Sequence, residues 1–540
     1  MRKPVTAVST LVLGLLLLLP VLGVILGSMG HSDGTWDHLV STVLADYVIN
    51  TLGLLLIVAV LTASMGTATA WLIAATDFRG RKVLEWLLVL PIAAPAYIIA
   101  YVYTDLLEFA GPVQTLIRDV TGWGADDYWF PEVRTLQGAG VMLSLVLYPY
   151  VYLIARSAFL NHSRTRFAAA RSLGASPLKA FWHVALPAAR PAILGGMALA
   201  LMETAADFGV ADYFGVSTFS TGIYRTWYGL GDEISALRLA GMLLVLMGIL
   251  VLFERVARPD DTSNDIARDS LAQPMKLSPL LSSLAVLACS LPVLFGFFVP
   301  VGALAVMTFS NLGMANLSDF LEYARNSLSL SVIAAVITCL IAVYLGYLQR
   351  GETRMHKRPM AQVTTRLASL GYALPGTLLA VGLLLPVTAI DKQISGWLEA
   401  HYGLGLGLIL TGSIVTLVYA YTVRFLTVAF NTMEPAITGI PAAMDEAART
   451  LRARTPEIVT RVHLPMLRPA LYSAALLVFI DTMRELPATL LLRPFNFETL
   501  ATRVYRLAAD ERLVEAAPAA LALVVIGLVP VLLLNRVTRN

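Results

Sequence analysis

The chain has 540 residues, of which 57% are hydrophobic and 14% charged, with a mean hydropathy of +0.72. A soluble domain carries roughly 25% charged residues, so this composition excludes a soluble enzyme, a disordered chain and a nucleic-acid binder. The net charge of +3 is too small to imply an anionic partner, and the placement of charges is more informative than their sum.

A helix needs about 20 apolar residues to cross a bilayer. Twelve such runs occur. Six lie in the first half, at about 5–27, 50–75, 84–106, 137–158, 191–214 and 236–254. Six lie in the second, at about 280–308, 326–348, 367–389, 403–430, 469–491 and 514–535. Arg2 and Lys3 precede the first run as they would in a signal peptide. That run is long and no small-x-small cleavage site follows it, so it is read as an uncleaved span. Pro91, Pro95 and Pro375 fall inside runs, where neighbouring helices can satisfy the backbone groups they free. Cys289 and Cys339 both lie in apolar runs and read as packing residues.

With the N-terminus in the cytoplasm, 28 of the 39 Lys and Arg fall on the cytoplasmic side. The positive-inside rule then puts both termini there, in a bacterial inner membrane protein. In the external loop after the third run, Trp123, Tyr128, Trp129 and Phe130 cluster. They read first as an interfacial aromatic belt and second as a docking surface for a binding protein.

The two halves repeat. Asn50-Thr51-Leu52 returns as Asn326-Ser327-Leu328, 276 residues later, and Arg190-Pro191-Ala192 as Arg468-Pro469-Ala470, 278 later. Tyr224-Arg225 returns as Tyr505-Arg506, 281 later. Each half has an even number of spans, so both enter the membrane with the same orientation. The expected fold is all-α: about twelve transmembrane helices as two six-helix repeats, related by a pseudo-two-fold axis along the membrane normal. The repeats are read as 1–257 and 280–540, joined by a polar cytoplasmic linker, 258–279.

The longest cytoplasmic loops occupy the same slot in each half. The first reads Phe167-Ala168-Ala169-Ala170-Arg171-Ser172-Leu173-Gly174, then Ser176-Pro177, and ends at Leu186-Pro187. The second reads Asp445-Glu446-Ala447-Ala448-Arg449-Thr450-Leu451-Arg452, then Thr455-Pro456, and ends at Leu464-Pro465. Local rules give each a helix, a stop, a capped second helix with proline at its first position, and a proline end.

These loops resemble the coupling motif of ABC importer permeases: Glu-Ala-Ala, three residues, Gly, then a Leu-x-Pro end. From the Gly position to the closing proline is 13 residues in both, Gly174 to Pro187 and Arg452 to Pro465. The resemblance implies that each short helix docks in a groove of a cytoplasmic ATPase and transmits its closure. Small Ala169, Ala170, Ala447 and Ala448 suit such close approach. Each copy departs once from the motif, Ala168 standing for the Glu and Arg452 for the Gly. An arginine at a left-handed elbow costs about 1 kcal/mol, so the second elbow is expected to be built differently and the two docking contacts to be unequal. The chain contains no Gly-x-x-x-x-Gly-Lys-Ser/Thr phosphate loop. It is therefore expected to be no enzyme and to hold no cofactor, with ATP and Mg used by a separate ATPase subunit, present in two copies.

The stretches Met202 to Trp227 and Asp481 to Tyr505 resemble the fused permeases of binding-protein-dependent ferric-iron importers, and the likeness runs over nearly the whole chain. It implies an iron-binding external protein as the second partner, beside membrane lipid. Fused thiamine permeases share the architecture. A proton-coupled secondary carrier would use intramembrane acids without needing two matched docking loops. A membrane oxidoreductase is disfavoured because all seven His are read in loops or at helix edges.

Four carboxylates coincide under the repeat: Glu203 with Asp481 and Asp207 with Glu485, both 278 apart. Within each helix the two are four apart and share a face. Counted from Pro191 and Pro469 they lie roughly 18 and 24 Å into a core of about 30 Å. Acids at that depth face a bundle interior or an aqueous cavity, and hard oxygen ligands suit a hard cation. Either they line the translocation path, without forming a fixed metal site, or they fix helix packing with Arg484 neutralising Asp481 or Glu485.

Overall fold

The computed structural model describes residues 3–32, 34–160, 164–257, 274–311, 317–354, 364, 371, 374–403 and 407–537. The structure is 82% helical, and among the described residues eleven helices are long and apolar enough to cross a membrane, or twelve if one bent pair counts as a span. Segment 258–273 of the expected linker lies outside the described residues.

The run 84–106 is a bent pair of helices. Arg81–Ala93 and Ala96–Thr121 meet at 92°. The cause is Pro95, which has no N–H to donate and forces Ala94 into an extended conformation (φ −95°, ψ 128°). In the second half Pro375 likewise precedes the helix Gly376–Tyr402.

The run 403–430 is corrected. Gly376–Tyr402 ends at Gly403 (φ 67°), a left-handed stop. The next helix starts only at Ile414 and runs to Thr438. The turn before it is tied down by Asp391, whose buried carboxylate accepts the backbone N–H groups of Ile409, Leu410 and Thr411 at 2.6–3.0 Å.

The contacts divide the chain into two compact units that do not follow chain order. One comprises Met1–Trp36, Ile223–Leu244 and Asn316–Arg503. In it the first span, Lys3–Gly27, packs along Gly376–Tyr402, and Tyr344 hydrogen-bonds Ser9 at 2.5 Å. The other comprises Asp37–Gly222, Val245–Ala315 and Val504–Asn540. In it Pro279–Val293 packs beside Leu44–Ala75, and Tyr103 donates to the Phe295 carbonyl. A two-residue parallel ladder, Thr76–Asp77 with Met275–Lys276, ties the same elements. Each unit thus contains the opening span of the other half of the sequence. Cys289 and Cys339 are both buried and unbridged.

The repeated Asn-Thr/Ser-Leu motif has a structural reason. Asn50 donates to the Ser217 carbonyl at 3.2 Å and Thr51 Oγ1 accepts the Phe219 N–H at 3.2 Å. Asn326 donates to the Glu498 carbonyl at 3.0 Å and Ser327 Oγ accepts the Leu500 N–H at 2.8 Å. In each case the start of one span caps a later helix start, that of Phe219–Tyr224 or of Leu500–Ala509, supplying partners that helix starts lack.

Candidate functional site

The first coupling loop forms the helix Arg164–Ser172, turns at Gly174 (φ 88°), and restarts at Pro177, with Ser176 Oγ accepting the Lys179 N–H. The second forms Ala442–Thr450, turns at Arg452 (φ 62°) and restarts at Thr455. The elbow hydrogen bonds match: Ala175 N–H to the Ala170 carbonyl at 3.1 Å, and Ala453 N–H to the Ala448 carbonyl at 3.0 Å. Gly174 N–H reaches Arg171 and Arg452 N–H reaches Arg449 in the same way. The expectation of a differently built second elbow is therefore wrong. The helix-end hydrogen bonds outweigh the roughly 1 kcal/mol that a left-handed arginine costs.

That cost is recoverable. Arg452→Gly is expected to raise the unfolding free energy by about 1 kcal/mol, read as a higher melting temperature of purified protein. Gly174→Val should lower it, since a β-branched residue is strained at φ 88°.

The coupling helices differ in what holds them. In the first, Phe167 packs on Trp71 from Leu44–Ala75, with ring centroids 4.9 Å apart. Phe159 and Phe181, from the flanking helices, close on the same indole at 5.2 and 4.9 Å. In the second, the residue matching Phe167 at the 278 offset is Asp445, and the one matching Ala185 is His463. The residue matching Trp71 at the 276 offset is Tyr347. Asp445 is paired by Arg350 at 3.1 Å and by His463 Nε2 at 2.6 Å. Tyr347 OH lies 3.0 Å from His463 Nδ1, and Arg350 also donates to the Ile437 carbonyl. Arg350, Asp445 and His463 are 7%, 5% and 4% exposed, so the cluster is inside the protein.

His463 corrects the placing of every histidine in a loop or at a helix edge, for it sits in a π turn, Val459–His463, that runs directly into Leu464–Arg484. Sequence reading missed Arg350 because it ends an apolar run, where a basic residue looks like a membrane-interface charge. Glu446, Ala447, Arg449 and Arg452 are exposed on the outer face, and Ala448 is half-buried. Pro187 and Pro465 sit in the first turn of the helices that follow. Ala169 is exposed and Ala170 half-buried, while the side chain of Ala168 lies outside the described residues.

The four acids lie at the ends of Leu186–Ala206 and Leu464–Arg484. Asp207 Oδ2 accepts the N–H groups of Val210 and Ala211 at 3.0 and 3.1 Å. Glu485 Oε1 accepts the Ala488 N–H at 3.0 Å. These two therefore cap the short helices Gly209–Tyr213 and Pro487–Leu492. Asp481 pairs with Arg484. The partner of Glu485 is a residue that the sequence did not single out: Arg424, at 3.4 Å. Arg424 lies within the apolar helix Ile414–Thr438. The backbone leaves room for this pair at Gly376, where a Cβ would collide with both Glu485 Oε1 and Arg424 Nη1. Among the described residues, no group of three or more His, Cys, Asp or Glu is placed to hold a metal ion.

Comparison with known proteins places this geometry. The family described as binding-protein-dependent transport system inner membrane component matches twice, at residues 66–257 and 339–540. The chain belongs to this family. It carries two copies of the family domain, fused, and is a multi-pass inner membrane permease. Membership implies an ATPase and a substrate-binding protein as partners. The chain is 24% identical to the Fe(3+)-transport system permease protein FbpB 2 of Haemophilus influenzae, over 99% of both chains. It is 22% identical to the putative ferric transport system permease protein FbpB 1 of the same organism, over 78% of this chain and 65% of that one. A probable sulfate transport system permease protein of Marchantia polymorpha is 26% identical over 32% of this chain and 59% of its own.

Proposed function

We propose that the chain is the membrane-spanning permease subunit of an ATP-driven iron(III) importer, taking substrate from an external binding protein. The observation that carries the reading is likeness along the whole length, 99% of both chains, to a ferric permease, whereas the sulfate permease matches over a third of the chain. Both termini lie in the cytoplasm, and two ATPase copies each receive one coupling helix. ATP and Mg act in those subunits. Their closure draws the coupling helices together, and the helices that continue from them open the path outward.

The acids divide into roles. Asp481 and Glu485 each face an arginine, so they serve packing. Glu203 and Asp207, at the matching places in the first repeat, are half-buried rather than fully enclosed. These two line the path, binding a cation weakly enough to release it. Glu203→Gln and Asp207→Asn are expected to lower iron uptake per folded transporter several-fold. Uptake unchanged in both would remove the pathway role.

The function is tested by iron uptake in a deletion strain carrying this chain, with thiamine and sulfate uptake as controls. Iron uptake restored with the chain, and lost with the partner ATPase, supports the reading. Restored thiamine or sulfate uptake without iron uptake overturns it. Within that assay Glu446→Ala should reduce uptake at normal membrane abundance, because the exposed carboxylate of the second coupling helix is available to a basic ATPase residue.

A further inference from the structure

Between the bent third span and the helix Leu136–Ala158, the first repeat builds a lobe that differs from the matching stretch of the second. It holds the helix Pro112–Thr121 and the loop to Arg134. At the matching place in the second repeat, Gly376–Tyr402 runs on as one helix.

The lobe is braced from within. Buried Gln114 donates to the Leu107 carbonyl at 2.8 Å and accepts from Tyr128 OH at 2.8 Å. Arg118 donates to Tyr128 OH at 3.1 Å and to the Phe109 carbonyl at 2.9 Å. Arg134 is paired to Glu108 at 2.6 Å and lies over the Tyr213 ring. The braces frame a cavity of about 500 Å³, lined among others by Glu108, Phe130 and Glu132. Residues 105–134 carry six carboxylates, Asp105, Glu108, Asp119, Asp126, Asp127 and Glu132, against two arginines. Asp119, Asp126, Asp127 and Glu132 are exposed, beside Trp129 at 85% and Trp123 at 49% exposure.

We infer that this lobe is the docking platform for the substrate-binding protein, meeting a basic face of that protein with exposed aromatics at its centre and carboxylates around them. The inference rests on the proposed orientation, which puts the lobe outside, and on the importer reading. The charge selects the partner. An aromatic belt facing lipid gains nothing from four exposed carboxylates, which anionic headgroups repel and the bilayer interior penalises. An acidic rim around exposed tryptophans is what a basic protein surface complements, with the rim setting association rate and the aromatics supplying contact. The internal bracing keeps the platform in one shape before the partner arrives, which lowers the ordering cost of binding.

The test uses the permease with its ATPase in liposomes, titrated with the iron(III)-loaded cognate binding protein while ATP hydrolysis is followed. Asp126→Lys with Glu132→Lys is expected to raise the half-saturating concentration about tenfold at low salt, leaving the maximal rate unchanged. The wild-type value should rise with salt and the variant's should not. Trp129→Ala should raise it at any salt. Half-saturation unchanged in both variants, with normal stimulation of wild type, overturns the docking platform alone. The same result with reduced membrane abundance of Trp129→Ala assigns the lobe to the lipid interface instead. A wild-type transporter that the iron-loaded protein does not stimulate overturns both this inference and the iron reading beneath it.

Discussion

Arg350→Ala is expected to cost about 3–5 kcal/mol, the penalty for stranding the partner of a buried ion pair. The arginine joins Asp445, on the second coupling helix, to the Ile437 carbonyl at the end of the preceding span. Without it, Asp445 loses its guanidinium partner, and the helix it anchors loses that link to Leu317–Arg354. Two measurements check this. Thermal unfolding should begin well below the wild-type temperature, and ATP hydrolysis in the surviving folded fraction should be poorly coupled to uptake. Arg350→Lys keeps the charge but not the two-pronged geometry, so it should recover part of both. A variant that keeps wild-type melting and coupling would show that the cluster does not hold the helix.

The same cluster has an acid limit. Burial alone would push the Asp445 carboxyl up, but the bonds from His463 and Arg350 hold it below the usual carboxylate range. The stabilisation is therefore fully present above about pH 4 and is lost as pH falls through the depressed value. The aromatic contacts on Trp71 that hold the first coupling helix carry no group that titrates in this range.

The second large effect is expected at Arg424. Arg424→Met leaves Glu485 buried in an apolar helix bundle without its cation, and should cost about 3–5 kcal/mol. Folded, membrane-inserted protein should fall sharply. Adding Glu485→Gln to the same chain removes the stranded charge while keeping a side chain whose amide oxygen can accept the Ala488 N–H, so the double variant should recover much of the lost abundance. If Glu485 served the substrate instead, the double variant would be as abundant as wild type but inactive per molecule. Measuring abundance and uptake together separates the two. Gly376→Ala should resemble the single variant, because its methyl group occupies the space of the pair.

The contrast between the coupling helices shows where sequence reasoning stops. Their helix–elbow–helix form was legible because capping, stop and proline rules act within a few residues. The second elbow was misjudged by those same rules. The penalty on Arg452 is local and was visible, whereas the hydrogen bonds that overcome it appear only when the preceding helix is in place. The kink at Pro95 was written in the sequence but discounted, on the ground that neighbouring helices tolerate proline. They do so here by letting the chain turn through 92° rather than by straightening it.

The membrane class, the approximate number of spans and the duplication were legible without any tertiary contact. All follow from hydrophobic run length, charge placement and a constant repeat offset, quantities that need no knowledge of which helix lies beside which. Which cation meets which acid depended on the packing of the helices. Arg484 takes Asp481, three residues away, while Glu485 takes Arg424 from another helix, 61 positions earlier. The packing also decided that each unit contains the opening span of the other half, and that one coupling helix rests on aromatic rings and the other on buried charges. A pairing between distant helices depends on rotation and depth relative to a neighbour. A buried charge settles with whichever opposite charge the packing brings within reach, since leaving it alone costs more than any local preference supplies.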